Sequence, residues 1–134
     1  MQAIPASYAN ILRYATLTGL RPSEACYSIQ HLRTSGKKYY NPKTGMLEHF
    51  NFPETFIRRT KKAYISIVTP EILKRADKAQ TCEYAGLRTF IKRKGIAMNM
   101  KYCRRIFTTY LRQQGIGNEM IDLLQGRVPK NVFL

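Results

Sequence analysis

The sequence predicts an α+β domain, mostly helical, with a small antiparallel sheet in its middle. Three observations carry that prediction. Apolar residues recur at helical spacing near the start of the chain and again through its second half. Between Ser35 and Lys62 the pattern gives way to turn formers, namely Gly36, Asn41-Pro42, Gly45 and Pro53, separated by short runs such as Met46 to Phe52. Ala63 to Thr69 (AYISIVT) then alternates Ala63, Ile65 and Ile67 with Tyr64, Ser66 and Val68, the clearest strand pattern in the chain. The sheet is therefore expected within residues 35–69.

Each helix has its own local signal. In residues 7–18, Tyr8, Ile11, Leu12 and Ala15 share one face, and Thr18-Gly19-Leu20 interrupts the pattern. Arg21-Pro22-Ser23-Glu24 reads as the start of a helix over residues 22–30. Proline is tolerated in a first turn, and Glu24 lies near the positive end of the helix dipole. Arg21 then stands at a helix N-terminus, where an anion is favoured, and Glu24 can hold its guanidinium. Arg58, Arg59, Lys61 and Lys62 form a cationic lead into the strand. Thr69 as N-cap and Pro70 at the first position start a helix over residues 70–78. The next, over residues 83–94, ends at Gly95. It buries Tyr84, Leu87, Phe90 and Ile91 and presents Arg88, Lys92 and Arg93.

Residues 99–114 are the centre of the reading. Asn99 is expected to cap this helix and Gly115 to end it. At about 100° per residue, Met100, Cys103, Ile106, Phe107, Tyr110 and Leu111 fall on one arc. Lys101, Arg104, Arg105, Thr108 and Arg112 fall on the opposite one, whose charge is entirely positive. Like charges at this spacing cost about 0.2–0.5 kcal/mol per pair, so this face is either a solvated basic surface that tolerates the small cost or one that expects an anion. Asn118 is expected to cap a last helix over residues 118–125, closed by Gly126.

Composition narrows the partner. The chain of 134 residues suits one domain, and 44% hydrophobic residues supply a core. Lys and Arg number 23 against 8 acids, a net charge of +15. That excess must find phosphates or anionic lipid, or be carried as self-repulsion, and nucleic acid is the better partner because a membrane explanation lacks support. No apolar run approaches the roughly 20 residues of a membrane span, and no signal peptide opens the chain. The cysteines, Cys26, Cys82 and Cys103, have no CxxC pairing, and His31 and His49 have no metal-ligand spacing. The expectation is buried free thiols, no metal and no cofactor. A P-loop is absent too.

Four motifs stand in order: TGLRPSEA with Arg21, RRTKKAY with Lys61, KYCRRIFTTYL with Lys101 and Arg104, and LLQGR with Arg127. From about Ile11 onward the chain resembles the catalytic domain of a tyrosine recombinase (integrase). The family's TGLRxSE motif falls on Arg21, its hairpin lysine on Lys61 (with Lys62 as the alternative), and its HxxRHxFAT.L box on residues 101–111. Its LGH falls on Gln125-Gly126-Arg127. Lys101 and Arg127 replace the family's usual His and His or Trp, a variation that resembles the integrases of archaeal viruses and plasmids.

The resemblance implies a recombinase-like catalytic domain over residues 1–134, without the N-terminal core-binding domain. It puts the nucleophilic tyrosine beyond Leu134. It implies catalytic roles for Arg21, Lys61, Lys101, Arg104 and Arg127, and contacts to DNA by Arg58, Arg59, Lys62, Arg88, Lys92, Arg105 and Lys130. It further implies double-stranded DNA attachment sites as substrate, a homotetramer on DNA at full length, and a place in the host cytoplasm with the nucleoid. In that chemistry a tyrosine attacks a phosphodiester and leaves a 3′-phosphotyrosyl link and a 5′-hydroxyl. The arginines grip the non-bridging oxygens, and a lysine protonates the leaving oxygen. A type IB topoisomerase and a non-catalytic basic DNA-binding module are the competing readings.

Overall fold

The computed structural model describes residues 6–58, 61–79, 84–93, 95 and 101–127. It is mostly helical with a small antiparallel sheet, as the sequence predicts. Helix α1 (Ala6–Thr18) buries Ile11, Leu12, Tyr14 and Ala15. It stops at Gly19, whose φ of 73° suits glycine. A Cβ there would overlap the Phe107 ring, so this turn also needs a residue without a side chain for close packing.

Helix α2 (Pro22–Tyr39) runs well past the expected end at residue 30. Ser35 leaves helical geometry (φ −141°, ψ 38°), yet the chain resumes its helix and Gly36 does not end it. The physical reason lies at the far end: Tyr39 is fully buried and hydrogen-bonded, and that anchoring outweighs the roughly 1 kcal/mol that a helical glycine costs.

The sheet is smaller than the sequence suggests and comes in two pieces. β1 (Tyr40–Asn41), β2 (Met46–Glu48) and β5 (Ile65–Ile67) form an antiparallel sheet in the order β1-β2-β5, with Leu47 opposite both Tyr40 and Ser66. β3 (Ile57–Arg58) and β4 (Lys61–Lys62) make a separate ribbon, pairing Ile57 with Lys62 and Arg58 with Lys61. The run Met46 to Phe52 is a strand only to Glu48. A 3₁₀ turn (His49–Asn51) and the short α3 (Pro53–Phe56) follow, with Pro53 opening the helix where its missing N–H matters least.

β5 also turns its polar side inward. Ser66 is buried and Ile67 is 52% exposed, the reverse of what hydropathy favours. A chain of buried hydrogen bonds explains it. Tyr14 Oη meets Ser28 Oγ at 2.6 Å, and Ser28 Oγ meets Tyr39 Oη at 2.6 Å. Tyr39 Oη reaches His49 Nδ1 at 2.7 Å, and His49 Nε2 reaches Ser66 Oγ at 2.7 Å. Burial pushes the imidazole down to about 3, so it is neutral at pH 7 and can donate at one nitrogen while accepting at the other. The relay ties α1, α2 and the sheet together.

The second half keeps closer to its local signals. Thr69 Oγ1 accepts from Ile72 N at the start of α4 (Pro70–Lys78), at the residues the sequence marks. α5 (Tyr84–Arg93) buries Leu87 and Ile91. α6 (Lys101–Gln113) is rotated from its predicted orientation. Cys103 is buried, and Arg104, Phe107, Thr108 and Leu111 are half-buried, whereas Ile106 (54%) and Tyr110 (58%) are exposed. Arg104 is drawn inward by carbonyls from other segments, which pull harder than hydropathy alone. The N-cap of α7 (Asn118–Leu124) is Gly117. Asn118, the expected cap, instead accepts from Arg112 Nε through its Oδ1 at 3.2 Å.

Cys26 and Cys103 are buried and in no disulfide, while Cys82, and the predicted cap Asn99, lie outside the described residues. Among the described residues no helix is long and apolar enough to cross a membrane, and no group of His, Cys, Asp and Glu could hold a metal.

Candidate functional site

The turn after α7 gathers the first cluster of site residues. α7 ends at Leu124, and the chain reverses through Gln125 and Gly126, which has φ 74°. Two successive carbonyls of this turn receive guanidiniums from far away in sequence. Arg104 Nη2 donates to Gln125 O at 2.5 Å, and Arg21 Nη2 donates to Gly126 O at 3.2 Å. Arg104 also donates from Nε to Gly19 O at 3.1 Å, which joins the TGLR turn to α6. Gln125 returns the contact, its Nε2 donating to Arg104 O at 3.0 Å.

Gly126 allows this approach. A Cβ at that position would stand 2.9 Å from Arg21 Nη1 and 3.0 Å from Ala63 N. Only glycine meets both the positive φ and the crowding. The QGR sequence marked the position of this turn but not the acceptor role of its backbone.

Electrostatics give the cluster its character. Arg104 is partly buried, and burial, the neighbouring Arg21 and the neighbouring Arg127 push its guanidinium down to about 10. It remains protonated at neutral pH, but its charge is uncomfortable. Glu24 works in the opposite direction and favours that charge. Its carboxylate is fully buried and holds Arg21 Nη1 at 3.3 Å and the Arg21 backbone N–H at 3.1 Å. Arg58 Nη2 reaches the same carboxylate at 3.1 Å. One carboxylate thus serves both Arg21 and Arg58, and with Arg104 beside them the cluster keeps a net positive charge.

The hairpin is tied to this platform. Lys62 N–H donates to Gly126 O at 3.1 Å, the same oxygen that takes Arg21. Lys61 stands in β4 with its side chain exposed, and Lys62 beside it is half-buried. Arg21 and Arg104 therefore meet on one turn, Arg127 follows that turn and its charge acts on Arg104, and the hairpin of Lys61 is attached through Lys62. Arg58, expected on the DNA, turns in toward Glu24. Arg105 points outward, its guanidinium 5.4 Å from the Tyr102 ring centre. Arg88 and Lys92 are exposed on α5. Lys101 opens α6, but its side chain, like the whole of Arg59 and Lys130, lies outside the described residues.

Comparison with protein-family models, with curated proteins and with solved structures finds no significant match. The functional reading therefore rests on the geometry and on the motifs that the sequence carries.

Two features escaped the sequence reading. Gln125, fully buried, braces Arg104 from both its backbone and its side chain, and its Oε1 has no hydrogen-bond partner among the described residues. Glu24 was visible as a partner for Arg21, but its second ion pair with Arg58 links segments 34 residues apart. A local pattern carries no signal for that.

Proposed function

We propose that this chain is the catalytic core of a DNA strand transferase of the tyrosine recombinase kind. One observation carries the reading. Arg21 and Arg104, from motifs far apart in sequence, rest on adjacent carbonyls of the Gln125-Gly126 turn, next to Arg127. A phosphodiester in this cluster would relieve the crowding of positive charge around Arg104. Charge that develops on its non-bridging oxygens would meet donors already in position. Arginine suits this task because its planar fork stays charged and binds two oxygens at once.

Lys61, on the attached hairpin, is the proposed donor of a proton to the leaving 5′-oxygen. The attacking tyrosine is the one that the resemblance expects after Leu134. It would form the P–O bond as the 5′-oxygen leaves, and the phosphotyrosyl ester would keep the bond energy for rejoining. The proposed substrate is double-stranded DNA, bound as an oligomer where two sites are joined.

The test uses nicked duplexes that trap a covalent protein–DNA adduct, offered to protein that includes the residues following Leu134. Arg21→Ala and Arg104→Ala should each lower cleavage by about 10²–10³ while weakening DNA binding far less. Cleavage that falls only in proportion to affinity makes both arginines ordinary phosphate contacts and ends the proposal.

A further inference from the structure

Among the described residues, two contacts of the ribbon that carries Lys61 lead to Arg21. On β4, Lys62 N–H and Arg21 Nη2 share the oxygen of Gly126. On β3, Arg58 and Arg21 share the carboxylate of Glu24. Arg58 is also the cross-strand partner of Lys61. Directly opposed residues of an antiparallel pair project from the same face, and two cations there repel each other unless one is neutralised. Glu24, fully buried, neutralises Arg58.

We propose that Arg58 is a positioning residue: through Glu24 it sets the Lys61 hairpin against Arg21, so that the two ends of the phosphate site are held by one carboxylate. This deepens the reading given above and rests on the arginine platform being a phosphate site. Two consequences follow from sharing Glu24. Arg21 is only partly neutralised and keeps charge for an anion. When an anion draws Arg21 toward itself, Glu24 is left more fully to Arg58, which tightens the hairpin as the phosphate arrives. The side chain of Arg58 is 39% exposed, with Nη2 on Glu24 and Nε buried without a partner among the described residues.

The alternative is a direct phosphate contact by Arg58, and the two roles differ in what they move. The first measurement needs no DNA. Amide hydrogen exchange in the free protein should show Lys62 N–H exchanging about tenfold faster in Arg58→Gln, with the core amide of Ile29 unchanged. Arg58→Lys, which keeps a donor for Glu24, should restore slow exchange at Lys62. The second measurement is duplex DNA affinity across salt concentrations. Arg58→Gln should lower affinity with an unchanged slope of log K against log salt, and Lys61→Ala should cost little more in that background than it already lost.

Unchanged exchange at Lys62 overturns the inference. So does a salt slope shallower by about 0.9, the signature of one lost phosphate contact. If the unsubstituted chain binds no DNA, the phosphate reading fails, and the exchange result still decides whether Arg58 holds the hairpin.

Discussion

Two polar clusters lie along α2. From Ser28 to Tyr39 the helix contributes to a buried relay that runs from Tyr14 to Ser66. At its N-terminal end it contributes Arg21 and Glu24 to the platform with Arg104, Arg127 and Arg58. Glu24 and Ser28 are one helical turn apart, and the field of Glu24 reaches Tyr39. The relay is neutral and closed, each member bonded to the next. The platform is cationic, with one carboxylate among the described residues set against the guanidiniums of Arg21, Arg58 and Arg104. A fully bonded network fixes geometry, and under the proposed function the unbalanced charge of the platform is where an anion binds. Substitutions should therefore separate the two: relay variants lose stability, and platform variants lose anion binding.

The largest effect is expected in acid. His49 is held near 3 when folded, against 6.5 for an unburied imidazole. As pH falls, the unfolded chain takes up this proton first. The stability from a neutral His49 is complete above about 6.5 and is lost as pH falls through that value toward 3. The slope is up to about 1.4 kcal/mol per pH unit. Urea midpoints between pH 7 and 4 would show it, with the His49 ring resonances of the folded protein staying those of neutral imidazole. A ring that titrates near pH 6 would mean that the relay is open to water.

Next in size is Gly126→Ala, which places a methyl group against Arg21 and Ala63 at a φ of 74°. Overpacking and left-handed backbone together should cost about 3 kcal/mol, read from chemical denaturation. A near-neutral outcome would show that the turn yields easily and that the platform is loosely held.

Tyr39→Phe should cost about 2 kcal/mol, because it leaves Ser28 and His49 each short of a partner in a dry interior. Its sharper use is a comparison with the smallest effect. Inorganic phosphate at ten times its dissociation constant should stabilise the protein by about 1.4 kcal/mol through binding to the folded state. Arg104→Gln should abolish that gain, and Tyr39→Phe should keep it. If both variants lose it, the two clusters act as one.

Much of the backbone was legible from the sequence because its signals are local. Thr69-Pro70 marks the start of α4, Gly19 and Gly115 mark ends of helices with their positive φ, and the QGR turn lies where its glycine demands. These residues act on backbone within a turn of themselves, so the neighbouring residues suffice to read them. The motifs with Arg21, Arg104 and Arg127 were legible as well, but only as positions along a line.

Tertiary structure decided where the side chains point. Ser66 faces inward because His49 waits there, 17 residues away in sequence. α6 turns Arg104 rather than Ile106 inward because the carbonyls of Gly19 and Gln125 converge on that guanidinium. Arg58 folds back onto Glu24, and Arg21 finds Gly126 across 105 residues. Hydropathy ranks each side chain by its preference for water. A buried donor or acceptor binds to whichever partner the fold brings within about 3 Å, and that strong, short-ranged term overrides the ranking.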